Sequence, residues 1–337
     1  LGETGTTGAP NKKGFDFWYG FTDQAEAHNH YPLSLWRNDQ KEIIAGNQHG
    51  QRTEYAHDLF TKEALAFIEG NKDKPFFLYL AYTLPHADLE APEDSLQQFR
   101  GKFSEKPVAE TKSGRPNEMP NATFAAMVAR LDRDVGRVAS LLKQLGLAEN
   151  TLVIFTTDNG AHDVDGKDPA FFNASGPLRG IKRDLYEGGI RVPFIARWPG
   201  KITAGAISHH VAAFWDFLPT AAELAGAPIP KGIDGISFLP SLLSRPQPRH
   251  EFLYFELEVK GVGSQAVRMG DWKAIRHGRA GALELYDLSK DIGEKKNVAA
   301  QHPDVVRKIA DYLKTARIDS PQFPLWPERG DNRTKER

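Results

Sequence analysis

Thr157-Asp158-Asn159-Gly160 closes the apolar run from Thr151 to Thr156 and sets a carboxylate beside a carboxamide. The run reads as a buried strand, and in open α/β sheets ligands sit outside the carboxyl ends of the strands. Asp and Asn offer oxygen donors, which suit a hard ion such as Ca²⁺ or Mg²⁺ better than zinc. The same tripeptide also makes an ordinary turn after a strand. Residues downstream shift the balance towards the metal.

Leu178-Arg179-Gly180-Ile181-Lys182-Arg183-Asp184-Leu185-Tyr186-Glu187-Gly188-Gly189-Ile190-Arg191-Val192-Pro193 leads into Phe194-Ile195-Ala196-Arg197-Trp198-Pro199-Gly200. Upstream stand Gly14-Phe15-Asp16, Trp18-Tyr19-Gly20, Lys74 to Leu80 and Pro85-His86. Asp216-Phe217-Leu218-Pro219-Thr220, Asp234-Gly235 and Val267 to Lys273 follow downstream. In these ordered blocks the chain resembles the formylglycine-dependent sulfatases, the arylsulfatase branch of the alkaline-phosphatase superfamily.

That resemblance implies residue roles. Asp158 and Asn159 match one pair of Ca²⁺ ligands, Mg²⁺ being the alternative ion. Lys182 matches the lysine that contacts substrate sulfate, and His86 the histidine beside it. A protonated histidine there can hydrogen-bond the ester oxygen and serve as general acid. Arg179 would orient the loop or help hold the anion through its planar fork, and His162 stands close enough in sequence to the metal pair to touch substrate. His28, His30 and Asn47 fall where family members differ in substrate contacts, and nothing in the sequence selects among them.

Sulfatases of this kind also carry two further metal-binding aspartates near the N-terminus. A Cys-x-Pro-Ser-Arg segment follows whose cysteine becomes formylglycine, and then a Gly-Lys-Trp-His-Leu-Gly block. This chain has no cysteine, and its opening Leu1-Gly2 is similar to the end of that block. The expectation is a fragment that starts roughly a hundred residues into its parent, inactive by itself because the nucleophile lies elsewhere. Ser175-Gly176-Pro177-Leu178-Arg179 fits the Ser-x-Pro-x-Arg outline of serine-type sulfatases, but it continues into Gly180-Ile181-Lys182 and lies downstream of Asp158, opposite to the family order. Ser175 therefore reads as a loop serine.

The elements that must position these groups follow from periodicity. Residues 55–69 present a helical apolar face, and 76–82 read as a buried strand. Apolar residues from Met127 to Leu145 recur every three or four positions, with Asn121 and Gly146 as candidate caps. Strands are expected at 151–156 and 192–198, hence an α/β fold with a mostly parallel central sheet sandwiched by helices. After a Pro-, Gly- and Ser-rich stretch at 225–250, short strands at 252–257, 266–269, 272–275 and 283–288 precede a helix at 303–316. These read as a small C-terminal antiparallel sheet plus helix. The expected domains are 1–248, catalytic, and 249–337, a C-terminal α+β subdomain.

With 43 Lys+Arg against 44 Asp+Glu and a net charge of −1, the chain has no polycationic footprint for nucleic acid. Its apolar stretches are too short for a membrane span. The expected partner is a sulfated small molecule or glycan, and the expected compartment of the whole protein is periplasmic, secreted or lysosomal. Two alternatives stand beside the sulfatase: a phosphomonoesterase or phosphodiesterase of the same superfamily, and a non-catalytic glycan-binding relative.

Overall fold

The computed structural model describes residues 2–326. Backbone packing divides the chain into two units, Leu1–Thr151 with Asp163–Asp168, and Leu152–His162 with Pro169–Arg337.

In the first unit, strands β1 (Tyr19–Gly20), β2 (Ser34–Arg37) and β3 (Gln40–Ile43) form an antiparallel sheet in that order. Helix α1 (Ala56–Gly70), the short α2 (Glu93–Leu96) and the long α3 (Pro120–Gln144) complete it. Helix α1 buries Ala56, Phe60, Ala64 and Ile68, one residue per turn along a single face. Leu35, Ile44, Ala56 and Phe60 make one core cluster, with Tyr19, Phe21, Leu59 and Tyr82 packed against it. A second cluster holds Tyr55, Leu84, Leu89 and Met127.

Two expectations about this unit are corrected. Asn121 does not cap α3: the helix begins at Pro120, and the carboxylate of Glu105 accepts the backbone N–H groups of Asn121 (2.8 Å) and Ala122 (3.0 Å). Proline at the first position needs no such acceptor, so the cap falls on the next two donors. Residues 76–82 alternate in exposure with period two, Phe77 and Tyr79 outward, but belong to no ladder among the described residues.

The second unit contains β4 (Val153–Thr156), α4 (Glu187–Ile190), β5 (Phe194–Arg197), α5 (Phe217–Leu224) and α6 (Leu239–Leu242). Strands β6 (Leu253–Val259), β7 (Val262–Met269), β8 (Trp272–His277) and β9 (Glu284–Asp287) form a four-stranded antiparallel meander, followed by α7 (Pro303–Tyr312). This is the expected C-terminal sheet and helix. One sheet face packs Ala266, Ile275 and Tyr286 against Leu185 and Tyr186. Alternate residues Val267, Ala274 and Leu285 meet Ile309 and Leu313. Strand β4 pairs with β5 in antiparallel register, Ile154 opposite Ala196. Among the described residues no parallel ladder forms, so the parallel pairing expected of the central sheet is not made here. Helix and strand alternation suggested it, but 76–82 stays unpaired and β4 takes β5 as its partner.

Candidate functional site

Strand β4 delivers Asp158 and Asn159 to a turn with an exposed carboxylate and a half-buried carboxamide. The Asn159 Nδ2 donates to the Gly160 carbonyl at 2.9 Å, which fixes the amide nitrogen and turns the amide oxygen to other partners. Two adjacent oxygen donors fit a hard cation. They supply only part of the six to eight oxygens Ca²⁺ takes, and the described residues hold no cluster of three or more His, Cys, Asp or Glu that could bind a metal.

The Lys182 loop is laced to this turn through its backbone. Lys182 N donates to Ala161 O at 2.6 Å, and Gly160 N to Gly189 O at 3.0 Å. Glycine is required at the crossing, because a Cβ on Gly160 would overlap the Gly188 carbonyl oxygen and a Cβ on Gly188 would overlap the carbonyls of Arg179 and Gly180. Lys182 is half-buried, and Asp184 accepts from Ile181 N at 2.9 Å to hold the bend beside it. Ser175 donates its hydroxyl to Gly180 O at 3.2 Å, the tie of a loop serine. His162, at the end of the same turn, is buried.

Arg179 faces the C-terminal sheet. Its guanidinium lies 3.7 Å from the centroid of the Tyr186 ring, and Nη1 donates to Tyr286 OH at 3.1 Å and to Glu294 O at 3.0 Å. Behind the loop lies a charged cluster that sequence reasoning misses. Lys273 and Glu294 are fully buried and Glu187 nearly so. Lys273 Nζ stands 2.8 Å from Glu187 Oε1 and 3.7 Å from Glu294 Oε1. Burial raises the Glu294 carboxyl above its ordinary value, against the pull of Lys273. Glu187 and Lys273 both fall within the ordered blocks, yet their pairing joins positions 86 apart, which no local pattern reveals.

In the first unit, His86 follows residues 76–82 in a turn closed by His86 N to Thr83 O at 2.9 Å. Its Nδ1 lies 3.0 Å from Ala87 O. A carbonyl oxygen only accepts, so Nδ1 carries hydrogen. His30 is fully buried and directs Nε2 at the His86 carbonyl at 3.2 Å, while burial holds its imidazole below the ordinary 6.5. The His28 ring centroid stands 4.9 Å from that of His86. Asn47 is buried in backbone contacts, donating to Pro32 O and Glu54 O and accepting from Thr53 N and Glu54 N. Of the three undecided residues, His28 thus lies at the His86 ring, His30 supports its backbone, and Asn47 shapes a loop.

The sulfatase family model matches residues 2–227, two thirds of the chain. The chain belongs to the sulfatase family. A second family, N-sulphoglucosamine sulphohydrolase, C-terminal, matches residues 181–319, which include the Lys182 loop and the antiparallel sheet. Human arylsulfatase A is 35% identical over 298 residues, a match covering 79% of this chain and 52% of the human protein. N-acetylgalactosamine-6-O-sulfatase of Bacteroides thetaiotaomicron is 32% identical over 282 residues, 77% of this chain and 50% of that protein. The solved structure of Ps i-CgsB in complex with k-i-k-neocarrahexaose superposes at TM-score 0.76 and 28% identity, covering 92% of this chain and 68% of that one. The sulfatase chain therefore has an α/β fold and spans about half the length of these two curated relatives.

Proposed function

We propose that the complete protein is a sulfuric ester hydrolase that removes sulfate from a sulfated carbohydrate or an aryl sulfate. The observation that carries the reading is the lacing of the Lys182 loop onto the Asp158-Asn159 turn through Lys182 N to Ala161 O and Gly160 N to Gly189 O. This lacing ties the loop that bears Lys182 to the turn that bears a pair of hard oxygen donors. An anionic sulfate needs cations at its nonbridging oxygens and stabilisation of the charge that develops on the leaving oxygen.

Asp158 and Asn159 would hold Ca²⁺, or Mg²⁺, together with ligands from outside the described residues. The bound ion would neutralise sulfate charge, and a formylglycine from outside this sequence would supply the nucleophile. Lys182 binds a nonbridging sulfate oxygen in ground and transition states. His86, with Nδ1 occupied by the Ala87 carbonyl, gives its Nε2 proton to the leaving alcohol oxygen. Arg179 acts by orienting the loop, since its Nη1 is engaged by Tyr286 and Glu294. His162 lines the substrate side of the metal turn. The partner is a sulfated small molecule or glycan, and the compartment periplasmic, secreted or lysosomal. Among the described residues no helix is long and apolar enough to cross a membrane.

His86→Ala in the complete protein tests the acid role. Its loss should fall mainly on kcat and shrink for nitrophenyl sulfate relative to a sugar sulfate, because a good leaving group needs little protonation. Equal losses for both substrates would reduce His86 to positioning sulfate.

A further inference from the structure

Both ends of the Lys182 loop converge on one buried residue. Glu294 accepts Arg179 Nη1 on its backbone carbonyl at 3.0 Å, and its Oε2 accepts Glu187 N at 2.7 Å. Gly188 N donates to Arg179 O at 2.6 Å and closes the neck of the loop between these anchors. The Glu187 carboxylate is held in turn by Lys273 at 2.8 Å and by Arg268 at 3.4 Å, from strands β8 and β7. Placing two carboxylates and an ammonium in the interior is a poor route to stability, since desolvation offsets most of their attraction. Their geometry does fix the loop relative to the sheet.

We infer that Glu294, with Lys273 and Glu187, is a clamp that positions Lys182 for sulfate, so that the C-terminal sheet acts on the reaction through the loop. The inference rests on the sulfate-binding role proposed for Lys182. Glu294 touches no reacting atom in this scheme and is a positioning residue. Removing its carboxylate leaves Lys273 still paired with Glu187 at 2.8 Å. Glu294→Ala therefore releases the Glu187 end of the loop without stranding a buried charge.

The test is a double-mutant cycle in the complete protein, read as KM and kcat for a sulfate ester and as the inhibition constant of free sulfate, with the melting transition recorded for every variant. Glu294→Ala should raise KM and the sulfate inhibition constant about tenfold, the scale of a small misplacement of a binding group. Glu294→Gln, which keeps an acceptor for Glu187 N, should restore both to within about twofold, as expected if one hydrogen bond carries the effect. Combined with Lys182→Ala, Glu294→Ala should add nothing further, because both changes remove the same contact. A folded Glu294→Ala variant with unchanged constants, or losses that multiply with Lys182→Ala, would overturn the clamp. If Lys182→Ala alone changes neither constant, the underlying sulfate reading falls and takes the clamp with it, a result distinct from multiplying losses. Should Glu294→Ala fail to fold, Arg179→Gln, at an exposed position on the other anchor, must show the same pattern, and unchanged constants there overturn the proposal.

Discussion

At the scale of single residues, the crossing of Gly160 and Gly188 is the tightest constraint on the site. Gly188→Ala would drive a methyl into the carbonyls of Arg179 and Gly180, so it should cost about 2 kcal/mol or more, as overpacking does, and displace Lys182 as well. Denaturant titration checks the stability, and the sulfate inhibition constant checks the displacement. Asp158, Asn159 and Lys182 could be proposed from the sequence because they lie in short consecutive blocks, and the structure adds only that the backbones of those blocks are hydrogen-bonded to each other. The environment of Arg179 was not: its partners Tyr286 and Glu294 stand 107 and 115 positions away, and only the folded sheet brings them to its fork. A separation of 86 positions hides the pairing of Glu187 with Lys273 in the same way.

At the scale of elements, apolar periodicity located α1, α3, β4, β5 and the C-terminal meander, but it could not foresee charged helix faces that are buried. Asp134 on α3 is fully buried against His57 on α1, with Oδ2 at 3.1 Å from Nε2, and also receives Arg133. Burial alone would raise its carboxyl, yet the facing His57 and the hydrogen bonds from Arg133 and Arg137 prevail and hold it well below the usual range. Asp134→Ala should therefore cost about 3–5 kcal/mol, the penalty for breaking a buried pair, measured by thermal or chemical unfolding. Its contribution is complete above the ordinary carboxylate value of 3.8 and is lost as pH falls towards the depressed native value. His30 acts at higher pH. Its native imidazole titrates below 6.5, so below that pH the unfolded chain binds more protons than the native one and stability falls. Melting curves from pH 7 down to pH 5 should decline in the unmodified protein and be flatter in His30→Gln; an identical slope would show that His30 does not drive the decline. Residues 76–82 illustrate the limit of pattern reading, because alternation predicts an extended conformation but not a ladder partner.

At the scale of the molecule, the α7 helix and the β6–β9 sheet share a core that supports the loop from behind. Ile309 is fully buried among Val267, Ala274 and Leu285, and Ile309→Ala should destabilise the protein by about 2–5 kcal/mol in unfolding measurements. The sulfatase blocks spread along the chain made the family legible, whereas the cysteine that would become the nucleophile is not among its residues. The Lys182 loop, laced to the Asp158-Asn159 turn, is proposed to hold the sulfate of an ester substrate, and steady-state hydrolysis of 4-nitrophenyl sulfate by the complete protein and by its Lys182→Ala variant tests this. Lys182→Ala should raise KM, lower kcat and lose about 100-fold in kcat/KM, the scale of a removed transition-state contact. Hydrolysis with both constants unchanged in a folded Lys182→Ala variant would contradict it.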